Sequence, residues 1–209
     1  MKTIHFYIII LFLTWTGHHA VNAQNRGIRT GVSVSTFSRT GNLYDNDHMH
    51  LGFTAAAFRA IPIGTQLNLL PEITYIQKGR TKTPHIPGYP TGADYNICYW
   101  QIPLQLQYVN REIVKANGAQ IHFNGGPFAA FAFRDKISAE GQDKQLAQAQ
   151  EPEKRENDYG VSFGMGYQRP LAGQVLSFDL KYDMGLSELA NQPDDYRTKA
   201  LSFTLGWAF

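Results

Sequence analysis

Alternation dominates this chain. In the stretch LSFTLGWAF (201–209), Leu201, Phe203, Leu205, Trp207 and Phe209 share one set of alternate positions, and Ser202, Thr204, Gly206 and Ala208 share the other. Successive side chains of a strand point to opposite faces, so this stretch reads as a strand with one apolar face, carried to its last residue. Seven more segments alternate in the same way, near 26–37, 50–60, 65–78, 96–109, 119–133, 158–168 and 174–184. Period-two patterning with few helix signals predicts strands, eight in all when 199–209 is included.

The links between these segments alternate too. Residues 38–49, 79–95, 134–157 and 185–198 make long links, whereas IPIG (61–64), NREIVKANG (110–118) and RPLAG (169–173) are short. Long loops on one rim and short turns on the other mark outer-membrane barrels. Closure of an even number of antiparallel strands removes exposed edges. The expected fold is all-β: an eight-stranded antiparallel up-and-down transmembrane β-barrel.

A soluble eight-stranded barrel would alternate as well, and the chemistry of the two faces separates the readings. One face carries residues such as Val32, Phe53, Trp100, Leu104, Phe163 and Phe178; its charges are Arg59 and Lys199, both near strand ends, beyond the opening residue of the first segment. A basic side chain at a bilayer midplane costs roughly 2–4 kcal/mol and far less near its edges, where long stems snorkel. The other face holds Arg29, Glu72, Lys78, Asp158, Asp179, Lys181 and Asp183 among Ser, Thr, Gln, Asn and Gly. Mixed charges among small polar residues predict an interior ion-pair network, with Arg29, Glu72, Lys78, Asp179 and Lys181 as its members, because charges shielded from water need partners. Leu70, Ile76 and Phe58 break the pattern by falling on the polar face, and Pro71, Pro103 and Pro127 interrupt ladders that need N–H donors.

The first residues read differently. Lys2 precedes the apolar run FYIIILFLTW (6–15), and Val21 and Ala23 stand at the −3 and −1 positions of a cleavage site before Gln24. That is the layout of a secretory signal peptide, and the run is too short to span a bilayer as a helix. The expected organisation is therefore a signal peptide over 1–23 and one barrel domain over 24–209. Cys98 is the single cysteine, so no intrachain disulfide is expected; on the lipid-facing register it reads as a small apolar filler. A net charge of +2 with no basic patch interleaved with aromatics argues against a nucleic-acid partner.

Several stretches together resemble the PorT-like outer-membrane β-barrel family. They are LGFTAAAFRAIPIGTQLNLLPEITYIQKG (51–79), YWQIPLQLQY (99–108), NGGPFAAFAF (124–133), YGVSFGMGYQ (159–168), LSFDLKYDMGLSEL (176–189) and LSFTLGWAF (201–209). The most distinctive pieces are Leu70-Pro71-Glu72 followed by Tyr75 and Lys78-Gly79, and Ile102-Pro103-Leu104. The resemblance implies a small barrel, the size of OmpA or OmpX, in a Gram-negative outer membrane, with lipid around it. It also implies that Leu201, Phe203, Leu205, Trp207 and Phe209 form the insertion signal read by the barrel-assembly machinery. The named member of that family takes part in type IX protein secretion, so a place in a secretion assembly is one version of the envelope role the resemblance suggests.

Candidate chemistry is sparse. Asp45, Asp47, His48 and His50 of YDNDHMH (44–50), with His85, offer transition-metal donors, although solvated loop charges are the plainer reading. A lipid-modifying barrel enzyme would need a Ser–His–acid set; His122 with Ser162 or Ser177 is the available material, without a nucleophile motif. The chain is expected to be a non-enzyme without cofactor or metal. RDKISAEGQDKQLAQAQEPEKREN (134–157) and HIPGYP (85–90) are loops that a rigid scaffold can present to an envelope partner. Side chains roughly fill an eight-stranded interior, so a wide channel is not expected. The expected function is structural or binding, with a small passive channel or a lipid-modifying enzyme as alternatives.

Overall fold

The computed structural model describes residues 25–39, 47–82, 93–110, 118–138, 157–187 and 196–209. Among these the chain forms nine strands: β1 (Arg26–Arg39), β2 (Asp47–Arg59), β3 (Ile61–Pro62), β4 (Leu67–Lys82), β5 (Ala93–Asn110), β6 (Gln120–Ser138), β7 (Asn157–Leu171), β8 (Gln174–Gly185) and β9 (Tyr196–Ala208). All pairings are antiparallel, β1 pairs with β9, and β2 pairs with β4, so the eight long strands close into a barrel. The two-residue β3 lies on β4 through Ile61↔Leu69 and Pro62↔Asn68. The signal-peptide segment, Asp45, His85, HIPGYP and residues 139–156 lie outside the described residues.

The barrel is apolar outside and polar inside. Trp100, Leu104, Phe163, Phe178, Phe203 and Leu205 are each about half exposed on the outer wall, while Glu72, Lys78, Asp158 and Asp183 are fully buried in the lumen. A water-soluble barrel needs the reverse, and so continuous an apolar belt is far larger than the patches soluble monomers tolerate. The belt is the lipid-facing wall of a transmembrane barrel. Leu70 and Ile76 are fully buried, and Phe58 lies under the Arg29 guanidinium, 4.4 Å from its centre. These exceptions to alternation are true lumen residues: a packed interior accepts apolar side chains, whereas a lipid face rejects charged ones.

Several boundaries differ from the sequence expectation. β4 runs to Lys82 and β5 begins at Ala93, the two paired Lys82↔Ala93, so both ends of the predicted 79–95 link are paired strand. β6 extends to Ser138, and β2 starts at Asp47, which places His48 and His50 on a strand instead of in a loop. Beyond the lipid belt both faces meet polar surroundings, so pairing continues without leaving a hydrophobic signature. At the other rim, RPLAG shrinks to a two-residue turn, because Arg169–Leu171 belong to β7. Ala172 and Gly173, with φ of 50° and 80°, form its tip, the left-handed geometry that matches strand twist in tight hairpins.

Pro71, Pro103 and Pro127 all sit within strands. Ladder pairing lapses between Pro71↔Leu104 and Thr74↔Gln101, and again between Pro103↔Phe128 and Leu106↔Gly125, yet the register on either side is unchanged. A register shift in the β5–β6 ladder falls elsewhere. Cys98 pairs with Arg134 and Tyr99 with Ala132, which leaves Phe133 as the extra residue of a bulge. Outside that bulge, Trp100 stacks on Phe133 at 5.7 Å and meets Tyr75 edge-on at 5.9 Å. Cys98 is buried beside this aromatic group, where it accepts from the Tyr75 hydroxyl at 3.5 Å, in keeping with its reading as a filler.

Candidate functional site

β4 serves as a ruler for the lumen. Its inward positions, from the short-turn rim towards the long-loop rim, are Asn68, Leu70, Glu72, Thr74, Ile76 and Lys78. Each level meets a different chemistry from the strands across the barrel.

At the level of Glu72 the strands interlock through charge. Lys181 Nζ donates to Glu72 Oε1 at 2.9 Å, a contact between residues 109 apart in sequence, and Thr74 Oγ1 donates to the same oxygen at 2.6 Å. Arg29 approaches Glu72 Oε2 at 3.5 Å and Asp179 Oδ1 at 3.8 Å. Asp179 also receives His122 Nε2 at 2.6 Å and the Ser177 hydroxyl at 2.7 Å. β1, β4, β6 and β8 are thus tied across the lumen by one group of buried ions. Isolated, any of these charges would be costly to bury; paired and hydrogen-bonded, they are tolerated.

Space for the large side chains of β6 comes from glycine on the neighbouring strand. A Cβ on Gly166 would strike the His122 ring and the Asp179 carboxylate, and one on Gly160 would strike the Phe128 ring. β7 is therefore small where β6 is large.

Nearer the long-loop rim the lumen turns partly apolar. Asp183 accepts from Gln101 at 3.0 Å and from Ser162 at 2.5 Å. Ile76, Tyr99, Phe128, Ala130 and Ala200 pack into a buried cluster beyond it. Lys78 Nζ lies 4.8 Å from the Phe128 ring centre and 3.6 Å from Asp158 Oδ2, a cation held between a π face and a carboxylate. Asp158 is further anchored by Ser187 at 2.5 Å and Thr198 at 2.6 Å.

The five residues expected to form one network therefore divide. Arg29, Glu72, Asp179 and Lys181 share the lower tier, while Lys78 belongs to the upper one with Asp158. Sequence reasoning did not single out the carboxamide pairs Asn68–Gln107 and Gln120–Gln168, at 3.0 and 2.8 Å. Their lumen parity was visible, but partnership across strands was not. The candidate Ser–His–acid material is ordered differently from a catalytic relay: Ser177 and His122 both bond to Asp179, and Ser162 bonds to Asp183. Of the suggested metal donors, His50 faces Ser35 across the β1–β2 ladder, and no cluster of metal-binding side chains occurs among the described residues.

Below the lower tier, towards the short-turn rim, lies a cavity of about 310 Å³. Arg29 and His122 form part of its floor, and Phe58, Leu70 and Val109 line its sides. The terminal strand closes the wall nearby: Phe209 N donates to Arg26 O at 2.9 Å, and the Arg26 guanidinium lies 5.7 Å from the Phe209 ring centre.

The model of the family described as outer membrane protein beta-barrel domain matches residues 22–191. Among solved structures, OprG from Pseudomonas aeruginosa is similar at 11% identity and a TM-score of 0.53, over 90% of this chain and 97% of that one. Neisserial surface protein A is similar at 12% identity and a TM-score of 0.50, over 88% of this chain and 97% of the other. These likenesses concern the fold. A comparison with curated proteins gives no match.

Proposed function

The chain belongs to the outer membrane protein β-barrel domain family, and from that premise we propose that it is a structural or binding component of the cell envelope that acts through its rims. The observation that carries this reading is the lower tier, where Arg29, Glu72, Asp179 and Lys181 meet in mid-lumen. Four interlocked charges from three strands favour a rigid scaffold over a solute path. Loops mounted on such a scaffold are natural recognition elements. Within the family we place the chain in the PorT-like branch on Leu70-Pro71-Glu72, Lys78-Gly79 and Ile102-Pro103-Leu104, export by the 1–23 segment accompanies that reading, and its partner is an envelope protein, with a secretion assembly as the candidate setting. Catalysis has no part in it.

In-cell crosslinking of the full chain beside a variant lacking 141–154 tests the proposal. A crosslinked envelope protein is expected with the full chain and is expected to disappear with the shortened loop. Identical crosslinks from both would remove that loop from the proposal, and stepwise conductance from the folded protein in planar bilayers would replace it with a channel.

A further inference from the structure

We propose that the cavity at the short-turn rim is a binding site for a peptide end that carries a free carboxylate, presented from the periplasmic side. Short turns of outer-membrane barrels face the periplasm, and Asn25, Ala60 and Pro62 border the cavity at that rim. Its volume of about 310 Å³ lies at the lower end of small-ligand sites, enough for one or two residues.

Three features of the lining point to this chemistry. First, two carboxamide pairs flank the space, Asn68 donating to Gln107 at 3.0 Å and Gln168 donating to Gln120 at 2.8 Å. Each bond uses one donor and one acceptor, so the pairs retain amide hydrogens and carbonyl oxygens for a partner that offers both. A peptide group is such a partner. Second, Phe58, Leu70, Val109 and Val175 supply an apolar wall, suited to one aliphatic side chain.

Third, the floor carries an unspent donor. Arg29 is 5% exposed and His122 is 1% exposed, and both line the cavity. Arg29 Nε, a donor, has no hydrogen-bond partner. The Arg29 contacts with Glu72 and Asp179, at 3.5 and 3.8 Å, are loose beside the 2.9 Å bond of Lys181 to Glu72. The guanidinium keeps its face on the Phe58 ring, 4.4 Å away, and with no short bond to either acid it can offer its fork to a carboxylate, the geometry it matches best. Glu72 and Asp179 also face Arg29; Lys181 and Thr74 bond Glu72 Oε1, and His122 and Ser177 bond the two Asp179 oxygens, while Glu72 Oε2, 3.5 Å from Arg29, has no hydrogen-bond partner.

The test uses the full chain folded in lipid nanodiscs, titrated with N-acetyl-Ala-Leu as the free acid and as the carboxamide, with NMR of the Asn68, Gln107, Gln168 and His122 side chains as readout. The free acid is expected to give saturable shifts, with the carboxamide at least roughly tenfold weaker. Ala60→Trp, which fills the mouth without touching the ion tier, is expected to abolish them. Arg29→Lys keeps the charge and loses the fork, and is expected to weaken the acid alone, provided the variant retains its heat-modifiable gel band. No saturable shift below about 10 mM, equal response to acid and amide, or full binding by Ala60→Trp would each overturn the proposal.

Discussion

Ala172 shows how much a single position can hold against local preference. Its φ of 50° is left-handed, a region that costs an L-residue with a Cβ roughly 1 kcal/mol and that Asn and Gly visit more readily. Ala172→Asn, which yields the Asn-Gly pair favoured in tight hairpins, is expected to raise stability by about 0.5–1 kcal/mol, read from urea unfolding in lipid. A loss of stability would show that the turn is not the strained element. At this scale the sequence was only partly legible. Trp100 or Phe203 declares its orientation because lipid tolerates little else, whereas Leu70 and Ile76 are silent, since a packed lumen admits them as readily as a Thr. Phe58 fell on the polar face by parity alone, and its place beneath Arg29 accounts for it.

Strands carry this information in pairs, and pairing is where the sequence was least informative. The inward parity of Glu72 and Lys181 could be read directly, but their 2.9 Å contact joins strands 109 residues apart and depends on a register that no local pattern encodes. The Phe133 bulge is likewise unmarked, because an extra aromatic on an apolar wall looks like ordinary alternation. The lower tier makes a quantitative prediction. Glu72→Gln leaves Lys181 and Arg29 short of a counter-charge and is expected to cost about 3–5 kcal/mol, whereas Glu72→Leu with Lys181→Met together should cost far less than the sum of the two single changes. Unfolding free energies in a double-mutant cycle would decide; strict additivity would mean that the two side chains do not act as a pair.

For the molecule as a whole, closure and the polarity of the two faces were legible because the bilayer imposes them on every strand. Strand ends were not, since pairing outlasts the lipid belt, as at Lys82↔Ala93. Removal of Phe209 separates assembly from stability. The folded barrel loses one backbone hydrogen bond, to Arg26, worth roughly 0.5–1.5 kcal/mol, so protein refolded in detergent should unfold almost as the full chain does. In cells, the heat-modifiable band of the outer-membrane fraction should fall much further if the residue is also an insertion signal. Equal losses in both settings would leave Phe209 with a structural role alone.

The wall itself is uneven. β1 and β9 share thirteen consecutive paired positions, Gly27↔Ala208 to Arg39↔Tyr196. The β2–β4 seam breaks register between Met49 and Thr54, where Phe53 N finds the Gln77 side chain, and Ser33 and Ser35 of β1 reach past Gly52 to the carbonyls of Gln77 and Gly79. Side-chain substitutes for a ladder open more readily than the ladder itself. Deuterium should therefore enter the amides of Gly52 and Phe53 well before those of Val32 and Phe203. The place where the first and last strands meet would then be the slow side of the cylinder, and a seam between two inner strands the side where it breathes.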